Sequence, residues 1–226
     1  MKKLKGMLYA ACFLVASVTT NTVLAGSSEF TGIYAALQGS AVGVQFEGTY
    51  TDEQGRLTNG TGGRAVPLAG VELGLNIPIG NVFFVSVGGV KNFGGAEILN
   101  ADDFDDASDA SLALYNHKTW YIQPSISLWE NSAVYLKYGK SSADMSVDGQ
   151  VLPTMTSGDN IDGHTVAIGT TSMFGSGIFV RTEVGATDYD DITLTNIGGN
   201  SSDGGDNTVK ASPKMAYGNI SIGFKF

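Results

Sequence analysis

The stretch Tyr217-Gly-Asn-Ile-Ser-Ile-Gly-Phe-Lys-Phe226 decides how the rest of the chain is interpreted. Its apolar residues alternate with small or polar ones, and successive side chains of a β-strand point to opposite faces. The stretch therefore predicts a strand whose apolar face carries Ile220, Ile222, Phe224 and Phe226. Such a strand suits a closed membrane barrel, in which the last strand pairs with the first and removes the free sheet edges.

Similar alternating segments recur along the chain, and they come in pairs. We predict strands at 30–48, 64–78, 82–92, 118–129, 133–142, 164–174, 178–189 and 213–226. Long polar stretches join the two strands of each pair, whereas successive pairs are joined by short connections at 79–81, 130–132 and 175–177. Long loops on one side and short turns on the other are typical of an outer-membrane barrel. A soluble β-sandwich also has short strands, but it does not predict this alternation.

These patterns predict an all-β fold, an eight-stranded antiparallel transmembrane up-and-down β-barrel. Four long extracellular loops and three short periplasmic turns would connect its strands. Two places fit the alternation poorly. The apolar residues of the first strand change face near Gly39-Ser40, and Pro124 lies in the middle of a strand where it cannot donate a ladder hydrogen bond. We expect a β-bulge at Gly39-Ser40 and a bulge or local twist at Pro124.

The N-terminus has the pattern of a secretory signal peptide. Lys2, Lys3 and Lys5 precede an apolar segment at 7–18, and the small residue Ala25 follows at a position suited to cleavage. We predict that residues 1–25 are a cleaved signal peptide and that 26–226 form the barrel domain. The alternative, a membrane-anchoring helix, needs about 20 apolar residues, and this segment is shorter.

Composition excludes several classes of partner and site. Without the three N-terminal lysines, the chain has 10 basic and 22 acidic residues, a net charge of −12. Phosphate backbones are bound by clustered Lys and Arg, so we predict no nucleic-acid partner. Cys12 is the only cysteine and lies in the predicted signal peptide, which leaves no disulfide and no cysteine-based metal site. No apolar run of about 18 residues follows Ala25, so we predict no transmembrane helix.

Four charged residues have the phase of the predicted inner face: Glu72, Lys137, Arg181 and Glu183. An eight-stranded barrel is just wide enough for side chains to fill it, and buried charges must be paired. We interpret the set as an ion-pair network that fills the lumen. The alternative is a gate or selectivity constriction for ions or small solutes. Lys225 shares the inward phase but lies near the turn end.

Several segments resemble one known group of membrane proteins. The segments at 121–128, 130–132 and 134–139 are similar to the central hairpin of opacity-like and outer membrane protein A-like eight-stranded barrels (the outer membrane protein beta-barrel domain, a porin family). Phe179-Val-Arg-Thr-Glu-Val-Gly185 and the C-terminal stretch are similar to later strands of the same family. The resemblance implies an integral outer-membrane protein of a Gram-negative bacterium with a narrow, largely plugged interior. It also implies insertion by the barrel-assembly machinery, which reads the terminal strand at Ile220, Ile222, Phe224 and Phe226.

The predicted loops are acidic, and the second carries Asp102, Asp103, Asp105, Asp106 and Asp109. A calcium-binding loop needs carboxylates at fixed offsets, a turn glycine and a late glutamate, and the second loop lacks this arrangement. We interpret these residues as a solvated acidic patch and predict no metal site. Weak divalent binding that bridges to anionic lipid head groups is the alternative.

We predict that the chain is not an enzyme and needs no cofactor. Enzymes on eight-stranded barrels activate a serine with a histidine, and only His117 and His164 are available. We expect both at the rim or the aromatic girdle, and a lipid A-modifying enzyme remains a minor alternative.

The leading hypothesis is a structural or surface-interaction (adhesin-like) outer-membrane protein, and a small porin-like channel is the alternative. The expected partners are outer-membrane lipid and lipopolysaccharide, the barrel-assembly machinery and an unknown extracellular ligand. We expect a monomer.

Overall fold

A computed structural model describes six stretches of the chain: 26–51, 57–99, 111–148, 159–175, 177–195 and 208–226. The predicted signal peptide and the acidic patch of the second loop, Asp102, Asp103, Asp105, Asp106 and Asp109, lie outside these residues. Within the described stretches, no helix is long and apolar enough to cross a membrane.

Nearly all described residues are in strands. A short 3-10 helix at Ser27–Phe30 precedes them. The strands are β1 (Gly32–Thr51), β2 (Leu57–Ile79), β3 (Phe83–Phe93), β4 (Gly95–Leu99), β5 (Ser111–Trp129), β6 (Ser132–Asp148), β7 (Asp159–Phe174), β8 (Ile178–Tyr189), β9 (Ile192–Thr195) and β10 (Thr208–Lys225). The short strand β4 pairs with β5, as β3 does, and β9 pairs with β10, as β8 does. Each short strand therefore extends its predecessor, and the wall has eight strands.

The sheet closes on itself. Each strand pairs antiparallel with its neighbours, and β10 pairs with β1 from Tyr34 opposite Lys225 to Thr51 opposite Thr208. The predicted eight-stranded antiparallel barrel is thereby confirmed, including the pairing of its last strand with its first. Short connections after β2, β5 and β7 lie at the same end as the C-terminus. We call this the turn end and the opposite end the loop end.

The two faces of the wall differ in chemistry. An apolar band covers the outside, and on β10 it includes Ile220 and Ile222, each 61% exposed, together with Phe224 and Phe226. The inward positions of the same strand, such as Asn219 and Ser221, are buried. A closed barrel with an apolar outer face and a polar centre is a transmembrane barrel.

The bulge predicted at Gly39-Ser40 is wrong. Strand β1 keeps one register with both neighbours along its whole length. Val42 and Val44 are 1% and 3% exposed because they point into the barrel, where they join an apolar cluster near the loop end. The apolar residues change face because the interior itself becomes apolar there.

The bulge or local twist predicted at Pro124 is wrong as a bulge, but the ladder with β6 is interrupted at this residue. Pairing between β5 and β6 lapses at Gln123 and Pro124 and resumes at Ser125 in the same register. Proline has no N–H to donate, and the neighbouring pairs hold the register. The register of β5 shifts instead near its two ends, once beside Asn116, whose φ is 54°, and once at Leu128.

Candidate functional site

The four predicted interior charges meet inside the barrel and form a single group, which we call the charge network: Glu72, Lys137, Arg181 and Glu183. Arg181 Nη1 lies 2.9 Å from Glu72 Oε1. Lys137 Nζ lies 2.6 Å from Glu183 Oε2 and 3.6 Å from Glu72 Oε1. All four residues are buried. The network therefore joins β2, β6 and β8 across the lumen.

Tyrosine hydroxyls complete the hydrogen bonding of both carboxylates. Tyr135 and Tyr217 each donate to Glu183 at 2.9 Å, one to each carboxylate oxygen. Tyr121 donates to Glu72 Oε1, the oxygen that also accepts from Arg181. These hydrogen bonds offset part of the free-energy cost of removing the carboxylates from water.

Aromatic rings and a threonine hold the two cations. Lys137 Nζ lies 4.4 Å from the centroid of the Tyr121 ring, and the Arg181 guanidinium lies 4.4 Å from that of Tyr34. Arg181 Nε donates to Thr171 Oγ1 at 3.0 Å. Each cation is thus held by carboxylate on one side and by an aromatic face on another.

Each aromatic side chain around the network lies across from a glycine on the neighbouring strand. The cross-strand pairs are Tyr34–Gly74, Tyr121–Gly88, Tyr135–Gly169, Phe179–Gly223 and Tyr217–Gly185. A Cβ at Gly169 would lie 2.4 Å from the Tyr135 hydroxyl, and one at Gly185 would lie 2.6 Å from that of Tyr217. The glycines therefore give the rings room to lie against the wall and reach the network.

An apolar cluster closes the turn end, and we call it the turn-end plug: Phe30, Tyr34, Ala36, Phe84, Ala133, Met173 and Phe179. The short N-terminal helix caps this end, and the ring of Phe30 stacks on that of Phe84 with centroids 4.9 Å apart. Ser27 Oγ donates to the Gly80 carbonyl at 2.7 Å, and Asn76 Nδ2 donates to the Phe30 carbonyl at 2.6 Å. The segment before β1 is thus part of the barrel's closure.

On the loop side of the network, polar side chains form a continuous hydrogen-bonded row around much of the wall. We call it the hydroxyl belt, and its members in order are Gln38, Asn92, His117, Thr119, Ser141, Thr165 and Thr187. Successive members lie between 2.5 and 3.3 Å apart. All are buried. The belt connects β1, β3, β5, β6, β7 and β8.

A second apolar cluster, the loop-end plug, lies beyond the belt: Val42, Val44, Leu114, Ala143, Met145, Ile161, Tyr189, Ala211 and Met215. A cavity of about 20 Å³ lies between the belt and the network and is lined in part by Gln38, His117, Lys137, Glu183 and Asn219. This volume has room for about one water molecule. The described interior is therefore layered, with apolar plugs on both sides of a polar centre.

The remaining predicted residues have different positions. Ile220, Ile222, Phe224 and Phe226 lie on the outer face of the closing strand. Lys225 stays outside the charge network, since its Nζ donates to the Glu29 carbonyl at 2.7 Å at the turn end.

The prediction for the two histidines holds for only one of them. His164 is exposed and stacks on Tyr138 on the outer face, with ring centroids 6.0 Å apart. The prediction of a rim position for His117 is wrong, because its side chain is buried in the hydroxyl belt. The acidic patch of the second loop lies outside the described residues. Among the described residues, no group of three or more His, Cys, Asp or Glu side chains is placed to hold a metal ion.

Sequence reasoning missed the hydroxyl belt. Thr119 and Ser141 have the inward phase of Tyr121 and Lys137, so alternation alone could have placed them inside. Their mutual contact depends on strand register, which brings Thr119 directly opposite Ser141. The signal that could have found the belt is a run of inward Ser and Thr at matching heights on neighbouring strands.

Comparison with solved structures finds other barrels. The outer membrane protein OprG from Pseudomonas aeruginosa is similar, with 12% identity and a TM-score of 0.54, over 87% of this chain and 97% of that chain. Neisserial surface protein A matches with 12% identity and a TM-score of 0.43, over 87% of this chain and 98% of that one. Ail, the attachment invasion locus protein of Yersinia pestis, matches with 10% identity and a TM-score of 0.35, over 80% and 97%. No family model matches the sequence, and no curated protein matches it.

At this identity the likeness to OprG shows the fold alone. The closed wall, the outward apolar band and the buried polar centre agree with it. The chain is an eight-stranded outer-membrane β-barrel, and its apolar band is the surface that faces lipid.

Proposed function

We propose that this barrel has a structural or surface-interaction role and that its interior is a plug. The observation that carries the proposal is the charge network. Its cations and anions bind one another at 2.6 to 2.9 Å and lie between two apolar plugs. A side chain that is already paired and desolvated has little remaining capacity to coordinate a passing ion. Such an interior does not suit conduction. It suits a barrel that stabilises the membrane-spanning wall and presents the loops.

We also propose that the chain is related to a particular group of barrels, and the sequence resemblance described above supports this. The chain is related to opacity-like and outer membrane protein A-like barrels, carries a cleaved signal peptide and is inserted by the barrel-assembly machinery. The outward row Ile220, Ile222, Phe224 and Phe226 supports a role for the closing strand as the assembly signal. The partners of the protein would be outer-membrane lipid, lipopolysaccharide and an extracellular ligand bound by the loops. The protein would act as a monomer.

We also propose that the chain is not an enzyme and uses no cofactor. His117 is enclosed by the belt, and His164 stacks on Tyr138 at the lipid-facing surface. The hydroxyl beside His117 is that of the buried Thr119, and the hydroxyl 3.3 Å from His164 Nδ1 is the phenol of Tyr138, not the serine that barrel hydrolases activate.

The surface role is tested with cells that display the barrel. Cells expressing the intact protein should adhere to an immobilised array of extracellular-matrix proteins, because the long loops are the parts exposed to the medium. The matched control replaces the loop at 100–110 by a short turn and leaves the wall unchanged. Equal adhesion by both versions, with both folded, would contradict a loop-mediated role.

The small porin-like channel is the competing function, and conductance separates it from the plug. We expect no single-channel events from the intact barrel in a planar bilayer, and no change in the Lys137→Met variant. Steady ion conductance that responds to Lys137→Met would instead identify the network as a gate.

A further inference from the structure

Two lysines lie directly opposite each other on the outside of the wall. Lys91 on β3 and Lys118 on β5 are cross-strand partners, and both are exposed. Directly opposite side chains on antiparallel strands have Cβ atoms about 5 Å apart, and like charges in this position destabilise the sheet. The pair therefore indicates an anion that balances both charges.

The neighbouring acids that the structure describes are engaged by other residues. Asp162 lies 2.9 Å from Lys140, the third lysine of the region, and Asp144 accepts a hydrogen bond from the Asn116 amide at 2.8 Å. Among the described residues, no carboxylate forms an ion pair with Lys91 or Lys118. In a chain with 22 acidic and 13 basic residues, two adjacent cations that have no acidic partner within the described stretches are unusual.

The pair lies where the apolar band ends. Directly below it on the turn side, the outward residues are apolar, with Val87 on β3 and with Trp120 and Ile122 on β5. The lysines are the first charged residues above them toward the loop end. In a membrane barrel this level is the boundary between acyl chains and head groups of the outer leaflet.

Aromatic side chains frame the pair. Trp120 is 73% exposed beside Lys118, and Phe93 is exposed beside Lys91, whose Nζ lies 5.9 Å from the Phe93 ring centroid. Aromatic rings of this kind are favoured at head-group level. The combination of two cations, aromatic flanks and an apolar surface below matches a phosphorylated lipid whose acyl chains lie along the band.

We infer that Lys91 and Lys118 form a binding site for the phosphate of a phosphorylated glycolipid in the outer leaflet, of the lipopolysaccharide type. Lysine binds phosphate as a compact point charge, and each basic residue at an anionic membrane surface adds to the affinity. The inference rests on the proposed outer-membrane placement, and it names the lipid that this face of the barrel takes.

The test uses Trp120 as a reporter, since the chain has only two tryptophans. A Trp129→Phe background leaves Trp120 as the sole indole, beside the proposed site. The folded full-length barrel in non-ionic maltoside micelles is titrated with diphosphoryl lipid A while Trp120 emission is recorded. We expect a saturable change, and the Lys91→Gln/Lys118→Gln double variant should raise the apparent Kd by about 30-fold.

Matched variants separate charge from other effects. Lys91→Arg/Lys118→Arg keeps both charges and should bind as the parent does. Lys214→Gln removes an exposed lysine that lies opposite Asp188, so it should leave the titration unchanged. Gel electrophoresis of unboiled and boiled samples establishes that each variant is folded, because a folded barrel migrates differently from the heat-denatured chain.

Three results would overturn the inference. They are an unchanged Kd in the folded double variant, an equal response to uncharged dimyristoylglycerol, or the same lysine-dependent response to inorganic phosphate alone. The last would assign the site to a free anion instead of a lipid. Each of these outcomes leaves the conductance test of the plug unaffected, so failure of the lipid site is distinguishable from failure of the proposed function.

Discussion

Replacing Lys137 by methionine removes the cation that joins the two carboxylates of the charge network. Lys137 Nζ is 2.6 Å from Glu183 and 3.6 Å from Glu72, and all three side chains are buried. Methionine fills similar space but leaves the interior with one uncompensated negative charge. Breaking a buried pair in this way costs about 3–5 kcal/mol of folding free energy.

The expected effect lies at the lower end of that range. Tyr135 and Tyr217 continue to donate to Glu183 after the change, and Arg181 continues to pair with Glu72. These contacts retain part of the carboxylate's stabilisation, so we expect the free energy of unfolding to fall by about 3 kcal/mol.

Urea unfolding of the detergent-solubilised barrel, followed by tryptophan emission, measures this quantity. A Lys137→Met/Glu183→Gln double variant removes both charges and should recover much of the loss, with an interaction energy of about 2 kcal/mol in the double-mutant cycle. Lys140→Met is the matched control on the same strand, because its ion pair with Asp162 is solvent-exposed and should matter little. Wild-type stability of Lys137→Met, or an interaction energy near zero, would refute the account of the network.

Three further predictions concern other parts of the wall. Gly169→Val should lower the free energy of unfolding by about 1–3 kcal/mol, because a Cβ at this position would overlap the ring of Tyr135. Gly218→Val has open space around its Cβ and should be tolerated in the same urea assay. Thr165→Val should lower the free energy of unfolding by about 1–3 kcal/mol, because two buried hydroxyls of the belt lose their hydrogen-bond partner. Thr170→Val, on the outer face, should lower it less. Equal effects of the two variants would contradict the belt's role. Deletion of Phe226 should lower outer-membrane insertion with little effect on export, measured by membrane fractionation, and normal insertion would count against the terminal strand as assembly signal.

The faces of the strands could be predicted from the sequence because the pleat of a strand has a period of two. That period predicts all four network residues inside the barrel, and the structure joins them there by ion pairs: Glu72, Lys137, Arg181 and Glu183. The alternation of long and short connections likewise predicted the closed eight-stranded wall.

Contacts that depend on register could not be predicted in this way. The tyrosine–glycine pairs and the hydroxyl belt need the relative heights of neighbouring strands, which alternation within one strand does not contain. The register shift beside Asn116 turns both Leu114 and His117 inward, although they are three residues apart, and a uniform period of two would put them on opposite faces.

The change of face in β1 had two explanations in the sequence. A bulge keeps the apolar residues of a strand on the lipid side, whereas an apolar interior lets them turn inward without any bulge. Val42 and Val44 turn inward without a bulge, because side chains from several other strands complete the apolar loop-end plug around them. Only the assembled barrel distinguishes these explanations, because the plug is built from residues distant in the sequence.

Single-channel recording of the purified, folded barrel in a planar bilayer tests the central claim most directly. The paired network and the two apolar plugs predict a membrane that stays silent after insertion, while a general porin added to the same bilayer gives clear steps. The Lys137→Met variant should be equally silent, because the plugs on both sides of the network remain. Regular conductance steps from the intact barrel, altered by Lys137→Met, would contradict the sealed interior and establish a pathway through the charge network.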